Sequence, residues 1–201
     1  MARYTGPRTK RSRRARQLLD ENKAKYFDRR PYPPGQHGRG RIRESQYQIQ
    51  LREKQKLRFM YGVLEKQFRK YYKNAAKKSG ITGTNLLVIL ETRLDNVVYR
   101  SNLASTRPQA RQLVNHGHFE VNGKKVDIPS YEVRAGDVVT VREKSADILP
   151  IVHAIDTVGR TVPEWINVEA DARKITIDQV PSREQIDTDI KEQLIVELYS
   201  K

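Results

Sequence analysis

The stretch QARQLVNHGH, Gln109–His118, runs straight into FEVNGKKVDIPSY, Phe119–Tyr131. Thr106 with Gln109 is a capping-box pattern, so a short helix starts there and closes at Gly117. Asn122-Gly123 between short apolar-alternating runs is the strongest local hairpin signal, because both residues accept positive φ. Val126 and Ile128 continue the alternation up to Pro129. A second hairpin is expected at Ala135-Gly136, followed by Val139 and Val141 on one face of a strand. A short helix feeding a hairpin and a strand is a small mixed α/β unit.

Working back from this stretch, Leu86, Leu90, Leu94 and Val97/Val98 recur at core spacing and predict one helix over about 85–100. Before it, Leu64, Phe68, Tyr71, Tyr72 and Ala75 share a face of a helix that follows Tyr61-Gly62 and stops near Gly80. A third helix begins at the Ser45/Gln48 capping box and runs to about Met60, polar around most of its circumference. Working forward, residues 149–157 read as a helix and Ile175/Ile177 as a strand. A last helix is expected from Ser182, with Ile186, Ile190, Leu194 and Leu198 four residues apart. That stripe needs a partner surface. Docking on the helices of 45–85 would make the middle segment an insertion.

The chain has 201 residues, 39 Lys/Arg against 24 Asp/Glu, and a net charge of +15. Residues 1–80 carry 24 Lys/Arg and 6 Asp/Glu, a net of +18; residues 81–150 are near neutral at +1, and 151–201 carry −4. A surface tuned for solubility interleaves its signs. Segregated cationic charge points instead to a polyanion, whose condensed counterions are released on binding. Residues 1–44 hold few aliphatic side chains and a Pro/Gly run over 31–40, so they read as an arm that orders against a partner.

Several classes are excluded. The absence of cysteine removes disulfides, thiol nucleophiles and Cys-ligated zinc, and suits a reducing cytoplasm. No apolar run follows the basic start, and Leu86–Leu90 is far too short to span a bilayer, so no membrane association is expected. Neither GxxxxGK[ST] nor GxGxxG is present. His116 and His118 lack carboxylate or thiol companions, which suits RNA contact better than metal binding. No catalytic constellation, cofactor loop or paired-carboxylate motif emerges, and the expectation is a protein that is not an enzyme. What recurs is Arg and Lys for phosphates, with Tyr4, Tyr26, Tyr32, Tyr47, Tyr61, Tyr71 and Tyr72 interleaved as stacking surfaces. For one of Tyr71 and Tyr72 ordinary core packing is the better reading.

RRPYPPGQHG (Arg29–Gly38), LREKQK (Leu51–Lys56), YGVLEKQFR (Tyr61–Arg69) and RLDNVVYR (Arg93–Arg100) resemble the bacterial-type family of small-subunit ribosomal protein four. QARQLVNHGH, VNGKKVDIPSY (Val121–Tyr131), VREKS (Val141–Ser145) and LIVELYSK (Leu194–Lys201) extend the likeness over nearly the whole chain from ARYTGP at Ala2–Pro7. The resemblance implies an α+β protein: a basic extended arm (1–44), an all-helical domain (45–90, completed by 183–201), and an inserted RNA-binding domain of two short helices plus β-hairpins (91–182). It also implies binding to the 5′ domain of small-subunit ribosomal RNA (rRNA) and nucleation of assembly. Further implied partners are the fifth small-subunit protein, at an interface linked to accuracy, and the path along which messenger RNA enters. Some members of the family repress their own operon. Relatives often hold the arm with a zinc-binding cysteine cluster; without cysteine, the zinc-free form is implied. Residues 101–104 lack the family's turn glycine, and Asn102 is expected to take left-handed φ in its place.

The RNA-binding residues carried over fall in three groups. The arm supplies Arg3, Tyr4, Arg13, Arg14, Arg29, Arg30, Tyr32, Gln36, His37, Arg41 and Arg43. Arg52, Lys54, Lys56, Arg58 and Arg69 come from the helical domain. Arg107, Arg111, His116, His118, Asn122, Lys124 and Lys125 come from the insertion, where Asn122 is a turn residue first and a contact second. The alternative reading is a free RNA-modifying or RNA-chaperone protein with the same inserted domain.

Overall fold

The computed structural model describes residues 4–19, 23–40 and 43–200. The chain divides into two compact units, residues 1–83 with 188–201, and residues 84–187. Both helix and antiparallel sheet are present, as an α+β chain requires, and the sheet lies wholly in the second unit.

In the first unit α1 (Arg8–Ala15) and α2 (Ala24–Asp28) lie within the basic arm, where the sequence pattern placed no helix. α1 packs on α3 (Gln46–Met60) and buries its Ser12 and Ala15. The start of α3 is the expected capping box: Ser45 Oγ accepts from Gln48 N at 3.3 Å, and Gln48 Oε1 accepts from Ser45 N at 3.2 Å. α4 (Glu65–Lys77) buries Phe68, Tyr71 and Ala75. The C-terminal helix α9 (Glu192–Tyr199) docks along α3, and its Tyr199 ring stacks on Tyr72 at 4.5 Å and on Phe68 at 6.3 Å.

That last helix begins ten residues later than its pattern predicted. Gln185 does accept from Ser182 N at 3.1 Å, but only one turn forms, closed by Ile186 N donating to Arg183 O. Ile190 N donates to Thr188 O at 2.9 Å, two residues back rather than four, and Lys191 (φ −90, ψ 84) is not helical, so the helix starts only at Glu192. Ile186 and Ile190 are buried all the same, from a non-helical segment.

In the second unit the single helix expected over 85–100 is two, α5 (Thr82–Glu91, beginning just ahead of the unit) and α6 (Leu94–Arg100). Arg93 is extended and bridges Glu132. Leu94 N and Asp95 N donate to Tyr131 O and Pro129 O, so these amides bond to a distant segment rather than to the preceding helix turn. The 129–133 segment is thereby occupied, and the turn at Ala135-Gly136 makes no hairpin. Strand β3 (Val138–Val141) lies instead between β1 (Phe119–Val121) and β5 (Lys174–Ile177). With β2 (Lys124–Lys125) and β4 (Ile166–Glu169) the sheet order is β2-β1-β3-β5-β4, every pairing antiparallel. α7 (Arg107–Asn115) packs on α6, α8 is Leu149–Thr157, and the core centres on fully buried Trp165, Phe119 and Ile175. Asn102 takes φ 64, so the turn after α6 survives without glycine; its Nδ2 donates to Arg160 O at 2.7 Å.

Candidate nucleic-acid interface

The arm is organised by arginine on tyrosine. Arg13 Nε donates to Tyr32 O at 2.9 Å and its guanidinium lies 5.0 Å from the Tyr32 ring centroid, while Arg39 covers the same ring at 4.9 Å. Arg39 also donates to the Tyr32 hydroxyl, and this bond first, with the surrounding arginine charges, lowers the phenol's pKa. Tyr4 lies under Arg11 at 3.3 Å, and Arg11 also contacts the Phe59 ring at 4.5 Å. Gly38 is required where it stands, since a Cβ there would sit 2.0 Å from Pro33 O. The loop so closed leaves Arg29, Arg30, Gln36 and His37 exposed, as are Arg14 and Arg43. Arg3 and Arg41 lie outside the described residues.

The cations of α3 face inward and sideways onto carboxylates. Lys56 is buried, with Nζ donating to Asp189 O and lying 3.4 Å from the Asp189 carboxylate. Lys54 and Arg58 converge on Glu65 at 2.8 and 2.9 Å, and Tyr199 Oη donates to the same carboxylate at 3.0 Å. Burial pushes the Glu65 carboxyl up, but the bonds from Lys54 and Tyr199 and the nearby charges outweigh it and hold the group below its ordinary range. Burial first, and then the bond to Glu65, raise the Tyr199 phenol. Arg52 pairs with Glu44, which Arg16 also reaches at 2.7 Å. Arg69, on α4, is exposed.

In the second unit the hairpin turn is set by Asn122 (φ 51) and Gly123 (φ 73). The Asn122 side chain spans to β3, donating to Asp137 Oδ1 and accepting from Val138 N, each at 2.9 Å. This fixes edge strand β2, which presents Lys124 and Lys125 to solvent beside exposed His116. His118, 5.9 Å from His116 between ring centroids, meets Ser145 Oγ at 3.0 Å. Burial, then the charges of His116 and Arg142, lower its pKa and favour the neutral ring. Thr106 Oγ1 accepts from Gln109 N at 3.3 Å, capping α7 as expected. Arg107 bonds Asn96 Oδ1 at 3.0 Å and covers the Tyr99 ring, which Arg160 also covers at 3.9 Å; Arg111 reaches Asp95 at 3.4 Å. Among the described residues no group of His, Cys, Asp and Glu could hold a metal ion.

Residues 3–91 match the ribosomal protein S4/S9 N-terminal domain family, and residues 92–139 match the S4 domain family. Over all of both chains the protein is 61% identical to the small ribosomal subunit protein uS4 of Cutibacterium acnes, and 60% identical to that of Nocardioides sp.. The uS4 protein of Rhodococcus erythropolis is 61% identical, again over the full length of both. The chain belongs to the uS4 family.

Membership agrees with the fold: the S4/S9 match ends at Glu91, the last residue of α5, and the S4-domain match begins at Thr92. Within this uS4 chain the structure brings His116, Lys124 and Lys125 to one exposed edge, and Arg29, Arg30, Gln36 and His37 to one exposed loop. It does not bring Arg52, Lys54, Lys56 and Arg58 to an open face. Sequence reasoning passed over Lys66, Lys70, Lys73 and Lys77, all exposed on α4 with Arg69. Their spacing, four lysines at i, i+4, i+7 and i+11, was the available signal.

Proposed function

We propose that this uS4 chain is a structural constituent of the small ribosomal subunit and acts by binding rRNA, not by catalysis. The observation that carries the reading is full-length identity of about 60% to small ribosomal subunit proteins, in a chain whose first 80 residues hold a net charge of +18. The finer assignment is binding to the 5′ domain of small-subunit rRNA, with nucleation of subunit assembly. Residues 1–44 serve as the arm, 45–90 with 183–201 as the helical domain, and 91–182 as the inserted RNA-binding domain. The contacts we assign are Arg14, Arg29, Arg30, Gln36, His37 and Arg43 in the arm, Arg69 on α4, and His116, Lys124 and Lys125 at the sheet edge. Arg13, Tyr32, Arg107, Arg111 and Asn122 hold those surfaces in place through the bonds described above.

The acidic 151–201 part, net −4, is the side suited to a protein neighbour, assigned to the fifth small-subunit protein and through it to accuracy. Contact with incoming messenger RNA and repression of its own operon complete the assignment. Cytoplasmic ribosomes are the site of action. Among the described residues no helix is long and apolar enough to cross a membrane.

The test is binding of the purified chain to protein-free 5′-domain rRNA across a salt series. The expected log–log slope reflects on the order of 5–10 phosphate contacts. Affinity no greater than for random RNA of the same length would remove the assembly role.

A further inference from the structure

Lys66, Arg69, Lys70, Lys73 and Lys77 are all exposed on α4. At about 100° per residue they fall within an arc of about 100°, opposite the side that buries Phe68, Tyr71 and Ala75. Among the described residues none of the five pairs with a carboxylate. The one acidic residue of α4, Glu65, is engaged by Lys54, Arg58 and Tyr199. Like charges three and four residues apart destabilise a helix, and a face kept for solubility would interleave its signs. This face therefore carries a standing repulsion that a polyanion would relieve.

We infer that the outer face of α4 is a phosphate rail: a row of cations that tracks the backbone of a base-paired segment of rRNA. The proposal rests on the rRNA-binding reading and adds a surface to it. From Lys66 to Lys77 the row is about 16 Å long at 1.5 Å per residue, enough for several successive phosphates. Backbone contact is favoured over base contact because the face has no aromatic ring to offer. Tyr71 is buried, and Tyr72 is stacked on Tyr199. Lysine supplies compact charge on a flexible stem, which follows phosphates without fixing a sequence. A duplex, whose bases are already stacked, is the RNA form such a surface fits.

The experiment compares the full chain with a K66Q/K70Q/K73Q/K77Q variant and a matching Lys→Arg variant, each titrated with 5′-domain rRNA and with random RNA at several KCl concentrations. Glutamine and arginine are helix formers like lysine, so far-UV spectra and melting temperature should be kept or slightly raised. The glutamine variant is expected to lose about 3 from the log–log slope and about 10³-fold in affinity at 0.1 M salt, while the arginine variant retains both. A K70Q/K73Q pair should take about half of that loss. A wild-type slope in the glutamine variant, with wild-type preference for the 5′ domain intact, overturns the rail and leaves the rRNA reading standing. If that variant binds RNA normally but fails to join small subunits, the face serves a protein and the rail is likewise overturned. No preference of the wild-type chain for 5′-domain rRNA would remove the rRNA reading and the rail with it.

Discussion

Helices α3 and α4 are both rich in cations, and they use them in opposite ways. On α3, Arg52, Lys54, Lys56 and Arg58 each meet a carboxylate, and Lys56 is buried against the segment leading into α9. On α4, the lysines and Arg69 stand outside, and among the described residues none of them pairs with a carboxylate. Composition does not separate the two helices; the position of acidic partners does. Charge counted along a sequence measures a capacity for polyanion binding, and the fold decides how much of it reaches the surface. The second unit repeats the pattern, with Arg93, Arg100 and Arg111 turned onto Asp95 and Glu91 while Lys124 and Lys125 face solvent.

The largest effect expected from breaking this division is at Glu91. Its carboxylate is buried and takes Arg100 at 2.7 Å and Asn96 Nδ2 at 2.6 Å. Glu91→Ala removes the buried carboxylate that a largely buried guanidinium and an amide both use, and should cost about 3–5 kcal/mol in urea unfolding. A loss under 1 kcal/mol would mean that the pair is not holding α5 to α6. Next is Lys56→Ala, which strands Asp189 O and empties the space of the buried aliphatic stem. About 2 kcal/mol of stability should go, with no change in the salt slope of RNA binding. A slope change as large as that from an α4 lysine would show Lys56 to be a phosphate contact after all.

Much of the architecture was legible where chemistry is local. Ser45 with Gln48 and Asn122 with Gly123 act through bonds and φ angles within a few residues, and both formed as read. Asn102 taking φ 64 is of the same kind. What was not legible depended on distant partners. The break at Arg93 exists because Pro129 and Tyr131 accept the amides of Asp95 and Leu94, some 35 residues away in sequence. The stripe Ile186, Ile190, Leu194, Leu198 has helical period, yet its first half is buried from a non-helical segment, because burial rewards apolar side chains in any backbone form. For the candidate site the same rule holds. Residue type marked the cations, but Glu65, Glu44 and Asp189, distant in sequence from some of the cations they hold, decided which ones face out.

Glu65 offers a finer test, because it is the residue that keeps Lys54 and Arg58 from the solvent. Its carboxyl titrates below the unfolded value of about 4.3, so its contribution is present above that pH and lost as pH falls through the folded value. Glu65→Gln, at a half-exposed position, should cost about 1 kcal/mol at pH 7. The gap from wild type should close once the pH falls below the folded value, where both side chains are neutral. A gap that persists there would assign the effect to packing around Tyr199 rather than to charge. Freed from Glu65, Lys54 and Arg58 should also steepen the salt dependence of RNA binding slightly, moving α3 toward the behaviour of α4.

The smallest effect, and the one that separates the two helices most directly, is at Arg52. It is partly exposed and pairs with Glu44, whose carboxyl is held low first by the bond from Arg52 and then by the charges of Arg52 and Arg16. Because Arg16 stays within 2.7 Å, Arg52→Gln does not leave that carboxylate alone. Stability should change by no more than about 0.5 kcal/mol, as for most surface pairs. One cation is removed, as in Lys70→Gln, so net charge alone would predict equal losses of RNA affinity from the two variants. If position governs, Lys70→Gln lowers the slope by about 0.7–0.9 and Arg52→Gln leaves it unchanged. Equal slopes would show that the chain attracts RNA through its summed charge, and the distinction between inward and outward cations would have no bearing on binding.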